Sequence, residues 1–211
     1  MSGTAAARQI LTGLHELMAT RLSAQDKLDR TVEVVGEALD SEVCSIYLLR
    51  SGMLELSATR GLNQSAVHVT RMAVGEGLTG SLVANRATLN LAQAKAHPDF
   101  QYRPETGEEK FSSFAGVPIV YRERAVGALN VQHVDPRRYE DVEIEALQTT
   151  AMVLSELIVN AGLIAERSAD EAAPERSGPA QLTGLTLVAG LASGSAVFHQ
   201  PRITIDKVVA E

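Results

Sequence analysis

The chain has 211 residues, 45% of them apolar and 4% aromatic, and a formal net charge of -7 at pH 7. That length allows one ordinary domain with an appendage, or two small domains. The acidic balance, with no local Lys/Arg run against it, excludes the basic footprint of general nucleic-acid binding, and no apolar run approaches the roughly 20 residues of a membrane span.

Residues 5 to 21 carry Ile10, Leu11, Leu14, Leu17 and Met18 at spacings of three and four, which predicts an amphipathic helix. Ser23 then caps a second helix whose apolar stripe is Leu28, Val32, Val35 and Leu39. Two β-rich runs, Val43 to Leu49 and Met53 to Thr59, flank Ser51-Gly52 and predict a hairpin. A third run, Val67 to Val74, leads into GEGLTG; Gly77 to Arg86 reads as a short helix and Thr88 to Leu91 as a short strand. FAGVPIVY and AVGALNVQHV are two further strands joined at Arg122 to Arg124, with Pro118 demanding a bulge or an unpaired position. Tyr139 to Ile164 is the longest helix, with a heptad-like seam through Leu147, Ala151, Leu154 and Ile158. ERSADEAAPERSGPAQ has no apolar period and reads as a linker over 166 to 182. Residues 183 to 211 resume strand-like sequence but are too few to bury a core of their own. The order α-α-β-β-β-α-β, then β-β-α, predicts an α+β fold: an antiparallel sheet with the N- and C-terminal helices together on one face.

Chemistry-bearing motifs are sparse. GEGLTG matches G-x-G-x-x-G, but the helices and hairpin before it do not suit an opening parallel βαβ unit, and no P-loop Lys follows. The reading favoured here is a tight turn into a helix with outward-pointing amides. Cys44, the single cysteine, excludes an intrachain disulfide, fits a reducing compartment and sits in an apolar strand as a core residue. With no secretory leader at the start, the expected location is the cytoplasm. The histidines are scattered without ligand spacing, so no metal is expected. Paired Glu108-Glu109 is weak as an acid/base pair, and Glu108 is expected on a solvated helix face.

One segment stands out. HPDFQYRPETGEEKF and its neighbours hold Phe100, Tyr102, Phe111 and Phe114, half of the chain's four Tyr and four Phe, interleaved with charges. Such a mixture suits a lid over a small polar ligand, with apolar walls and a few fixed polar groups, or a lid that plugs its own core. For an amino-acid ligand, Glu109 or Asp99 can hold an ammonium, and Arg103 or the amides opening the Gly77 helix a carboxylate. Ser112, Ser113 or Asn90 can read a side-chain amide, with the four rings as walls. A 2-oxoglutarate site would instead want cations and little negative charge.

GEGLTGSLVANR, AKAHPDF and the FAGVPIVYRERAVGALNVQH hairpin together resemble the GAF domain family, over residues 5 to 165. The wording HPDFQYRPETGEEKFSSFAGVPI is similar to the GAF domains that lead nitrogen-related enzyme I of the bacterial phosphotransferase system, and to sensor domains of nitrogen-fixation activators. TGLTLVAGLASGSAVF resembles the opening strand of the enzyme I phosphohistidine domain. The resemblance implies three parts: a GAF sensor at 1 to 165, the linker, and an incomplete phosphohistidine domain from 183. It implies regulation of a phosphoenolpyruvate-dependent autophosphorylation, with glutamine as effector and a phosphocarrier protein as partner of the full enzyme. Mg²⁺ is implied only for catalytic parts absent from this chain, and no cofactor or catalytic residue for the chain itself; His199 does not match the phosphorylated histidine's motif. The cyclic-nucleotide signature of some GAF domains is missing, and Cys44 is poorly placed for a bilin. The contrasting readings are a ligand-free dimerisation module and a GAF sensor of another ligand, such as 2-oxoglutarate or a cyclic nucleotide. A homodimer through the terminal helices is expected from the seam.

Overall fold

In the computed structural model, residues 2–164 are described. Helix α1 (Gly3–Met18) and helix α2 (Ala24–Ala38) open the chain. Ser23 caps α2 as expected, its hydroxyl accepting from Asp26 N at 3.1 Å. Strands β1 (Val43–Arg50) and β2 (Met53–Arg60) form the first hairpin, turning through Ser51 and Gly52, both at positive φ. Strand β3 (Arg71–Ala73), helix α3 (Gly77–Asn85) and strand β4 (Leu89–Leu91) follow. After the aromatic-charged segment come β5 (Ser113–Tyr121), β6 (Arg124–His133) and helix α4 (Asp141–Asn160). The linker and the strand expected beyond it lie outside the described residues.

The six strands form one antiparallel sheet in the order β3-β2-β1-β6-β5-β4. The two hairpins therefore lie side by side, with β1 and β6 at the centre. Pro118 fits because β4 pairs only with the Phe114–Gly116 part of β5, so the proline lies beyond the stretch flanked on both sides.

Strand alternation sends side chains to two separate cores. On one face Ile46, Leu48, Val117, Leu129 and Val131 pack under α1, α2 and α4. On the other, Tyr47, Leu54, Leu56, Phe111 and Phe114 pack under α3 and the loops. The α4 seam belongs to the first core: Leu147, Leu154 and Ile158 are 0% exposed and Ala151 2% within a single chain. This corrects the expectation that the seam pairs two copies. The apolar stripe was read rightly, but the sheet and α1 already cover it.

Strand β3 is a sheet edge, and the chain seals it. Thr70 O accepts from Leu56 N at 3.0 Å, so by alternation Arg71 and Ala73 turn their backbone groups outward. Arg71 O then accepts from Arg103 Nη1 at 3.3 Å and Ala73 N donates to Glu76 Oε2 at 2.8 Å. Ala73 O accepts from Glu76 N at 3.1 Å.

Candidate functional site

The GEGLTG run builds one wall of the site. Gly77 has φ +65°, a left-handed conformation that favours glycine, and it turns the chain into α3. At Gly80 an added Cβ would lie 2.6 Å from Ala73 O, so this glycine lets α3 pack close against β3. Gly77 and Gly80 thus serve a turn and a close approach. The first-turn N–H groups of α3 have no acceptor within the helix, and Gly77, Leu78 and Thr79 all border a small cavity.

That cavity, of about 30 Å³, lies between the sheet, α3 and the aromatic-charged segment, which roofs it. It has room for about one water. Tyr47, Phe100, Phe111 and Phe114 form apolar walls. Tyr47 is buried, and burial pushes its phenol well above the usual range. Arg103, Glu108 and Gln132 bring polar groups to the same space.

The roof is latched. Arg103 Nη2 meets Glu76 Oε1 at 2.7 Å, beside the contact of Nη1 with Arg71 O. A hydrogen bond to Ala73, with the Arg103 guanidinium assisting, holds the Glu76 carboxyl below its ordinary range. Within the roof, Phe100 N donates to His97 O at 2.9 Å and Thr106 N to Arg103 O at 3.1 Å. Thr106 O in turn accepts from Asn63 N at 3.4 Å, tying the roof to the β2–β3 loop.

The structure divides the expected site residues. Phe100, Arg103, Phe111 and Phe114 face the cavity as expected. Tyr102 is 50% exposed and is not among the cavity's lining residues. Asp99 is not either; its Oδ2 accepts from Ser81 Oγ at 2.6 Å, bracing the roof against α3. Asn90 uses both ends of its amide on the Tyr139 backbone, at 2.9 and 3.1 Å, and so clasps the start of α4 to β4. Ser112 exchanges backbone hydrogen bonds with His133 and Ala94, and its side chain borders a surface groove instead. Ser113 precedes Phe114 on β5, so alternation turns it toward the helix-covered face, where its hydroxyl is buried without a partner among the described residues. The side chain of Glu109 lies outside the described residues.

Glu108 overturns its expected place on a solvated face. It opens a short 3-10 turn, Glu108–Lys110, after Gly107 at φ +74°. That turn aims its carboxylate inward, where Oε1 accepts from Gln132 Nε2 at 2.9 Å. Burial raises the carboxyl above its ordinary range, against the hydrogen bonds from Gln132 and Thr106. Gln132, Thr79 and Tyr47 were missed altogether. A signal existed for Gln132: Asn130 and Gln132 alternate on an otherwise apolar strand, on the face that carries Ala128.

The next residue of β6, His133, points to the opposite face and begins a separate polar network toward α4. His133 Nδ1 donates to Glu42 Oε2 at 2.8 Å, and its Nε2 accepts from Arg137 Nη1 at 3.0 Å. Arginine only donates, which fixes the neutral Nδ1–H tautomer in this arrangement. Arg137 grips both carboxylate oxygens of Glu143, at 2.8 and 2.9 Å, in the first turn of α4. Among the described residues no group of His, Cys, Asp and Glu is arranged to hold a metal ion, and no helix is long and apolar enough to cross a membrane.

The GAF domain model matches residues 23–158. A phosphoenolpyruvate-dependent phosphotransferase system protein of Escherichia coli is 35% identical over 161 residues, covering 74% of this chain and 22% of that protein. The GAF domain of an Acinetobacter phosphoenolpyruvate-protein phosphotransferase is 31% identical with a TM-score of 0.66, over 77% of this chain and 98% of that one. The corresponding domain from Coxiella burnetii is 29% identical with a TM-score of 0.71, over 76% and 96%. The chain spans about a fifth of the length of the curated relatives it matches.

Proposed function

Starting from the fact that this chain belongs to the GAF domain family, we propose that it is a regulatory sensor whose roofed cavity takes glutamine and controls an attached phosphoenolpyruvate-dependent phosphotransferase. The observation that carries the reading is the cavity itself. Apolar walls enclose inward-facing polar groups of both signs, the composition of a site for a small polar ligand. The first turn of α3 offers N–H donors and positive dipole to the ligand's carboxylate. Arg103, the other candidate for that role, is engaged by Glu76. The Gln132 amide, able to donate and accept, suits a ligand side-chain amide.

A cavity of about 30 Å³ does not admit an amino acid with the roof closed. Entry requires the Arg103–Glu76 latch to open, and capture reshapes contacts at Glu108 and Gln132. The adjoining chain His133, Arg137 and Glu143 links that event to the start of α4. In this reading α4 is the output element, and its small displacement biases autophosphorylation of the catalytic part, which then serves a phosphocarrier protein in the cytoplasm. The homodimer passes to the outer face of α1 and α4, where Leu11 is 43% and Met152 63% exposed. A strictly monomeric protein in light scattering would end that part.

The small void also favours a second reading, in which the roof is a plug and the domain only an interaction module. Calorimetric titration with glutamine, glutamate, 2-oxoglutarate and cyclic nucleotides decides between them. Glutamine binding with heat is expected; no heat from glutamine at millimolar concentration sinks the glutamine reading, and silence from every compound favours the plug.

A further inference from the structure

Among the described residues no cation forms an ion pair with Glu108, although the Arg103 charge acts on it from nearby. Its hydrogen-bond donors are the neutral Gln132 and Thr106. The guanidinium that shares the cavity, Arg103, is paired to Glu76 at 2.7 Å, with Glu105 at 3.8 Å. Burial therefore dominates, and the carboxyl is pushed up from its ordinary value. A second acceptor near the same wall is short of a donor. Asn130 is 1% exposed and gives its Nδ2 hydrogen to Thr79 Oγ1 at 3.0 Å, while its Oδ1 has no partner among the described residues. The opposite need, for an acceptor, belongs to the first turn of α3. The roof thus brings to the cavity a carboxylate whose hydrogen-bond donors are neutral and whose nearest guanidinium is paired elsewhere, while the α3 side offers N–H donors and an acceptor, Asn130 Oδ1, still short of a donor.

We propose that Glu108 is the residue by which this cavity selects a ligand bearing a primary ammonium group, so that it takes an α-amino acid and rejects the matching 2-oxo acid. The proposal rests on the reading of the cavity as an effector site. An ammonium supplies three donors and the missing positive charge. A 2-oxo group supplies only acceptors, which face the Glu108 oxygens without a shared hydrogen. Capture of the ammonium favours ionised Glu108. Affinity accordingly weakens as pH falls from neutrality toward the carboxylate range.

The role separates from a structural one. A carboxyl whose folded pKa is raised loses stability as pH rises from its unfolded value through the folded one, so Glu108→Gln removes a burden from the ligand-free protein at neutral pH. A residue that merely held the roof would lower the melting temperature when changed.

The test is calorimetry on the 211-residue protein with the common α-amino acids and their 2-oxo counterparts, for wild type, Glu108→Gln and, as a control on the exposed surface of α2, Glu37→Gln. Expected are binding confined to amino members, a loss of roughly ten- to a hundredfold in Glu108→Gln, and wild-type affinity in Glu37→Gln. The ligand-free Glu108→Gln protein should melt no lower than wild type at neutral pH. The proposal is overturned if Glu108→Gln keeps both affinity and amino-over-oxo preference, if wild type prefers a 2-oxo acid, or if it binds no amino acid. A Glu108-dependent amino acid other than glutamine would remove the glutamine reading and support this one. Glutamine binding indifferent to Glu108 would do the reverse.

Discussion

Replacing Arg103 with alanine isolates the latch. The change removes the contact to Glu76 at 2.7 Å and the longer one to Arg71 O at 3.3 Å. A hydrogen bond between charged partners contributes about 1.5–3 kcal/mol. Here the side chain of Glu76 is 37% exposed and that of Arg103 17%, which places the loss at the lower end, about 1.5 kcal/mol. That corresponds to roughly a tenfold rise in the open population of the roof. Native-state hydrogen exchange reads it directly. The amides of Phe100 and Thr106, bonded within the roof, should exchange roughly tenfold faster. Core-strand amides that exchange only on global unfolding follow by the same factor, because the unfolded chain also lacks the latch. Fraying amides at the ends of α2 should keep their rates, since that opening leaves the latch intact. Wild-type exchange at Phe100 and Thr106 would refute the latch.

Two further outcomes test the electrostatics and the helical core. Leu154→Ala, at a site 0% exposed, should cost about 2–5 kcal/mol in urea unfolding. Met152→Ala, 63% exposed, should stay within about 0.5 kcal/mol, and the reverse order would place the seam outside the fold. Burial alone would raise the Glu55 carboxyl, but hydrogen bonds from His68 and Arg71 and the Arg50 charge outweigh it and hold it below its ordinary 4.5. Its stabilising contribution is therefore complete above 4.5 and disappears as pH falls through the lower folded value. Glu55→Gln should flatten that limb of the stability curve, measured by thermal unfolding against pH, and an unchanged limb contradicts the network.

The order of elements was legible in the sequence because hydrophobic period, caps and turn residues act locally. Ser23, Ser51-Gly52 and the α4 stripe are cases in point. What α4's stripe packs against was not legible, since a seam facing a neighbouring sheet and one facing a second copy share the same spacing. The cavity was half legible. Phe100, Phe111 and Phe114 wall it because rings leave water wherever the roof closes. The polar groups depended on neighbours remote in the chain. Asn90 was already committed to Tyr139, Asp99 to Ser81, and Ser113 fell on the wrong side of its strand. Glu108 turned inward through a single 3-10 turn, to a partner on β6 that only the sheet brings near.

The sealed edge at β3 gives the roof a second consequence. The guanidinium that shuts the cavity is the one that occupies Arg71 O, and its partner Glu76 occupies both outward groups of Ala73. Withdrawing Arg103 to let a ligand enter bares a carbonyl on the terminal strand of the sheet, the kind of group onto which a foreign strand can add. Admission of the effector and exposure to strand-by-strand aggregation are thus tied to the same few atoms. On the proposed reading, an effector that holds the roof down would guard that edge as well as report its own concentration.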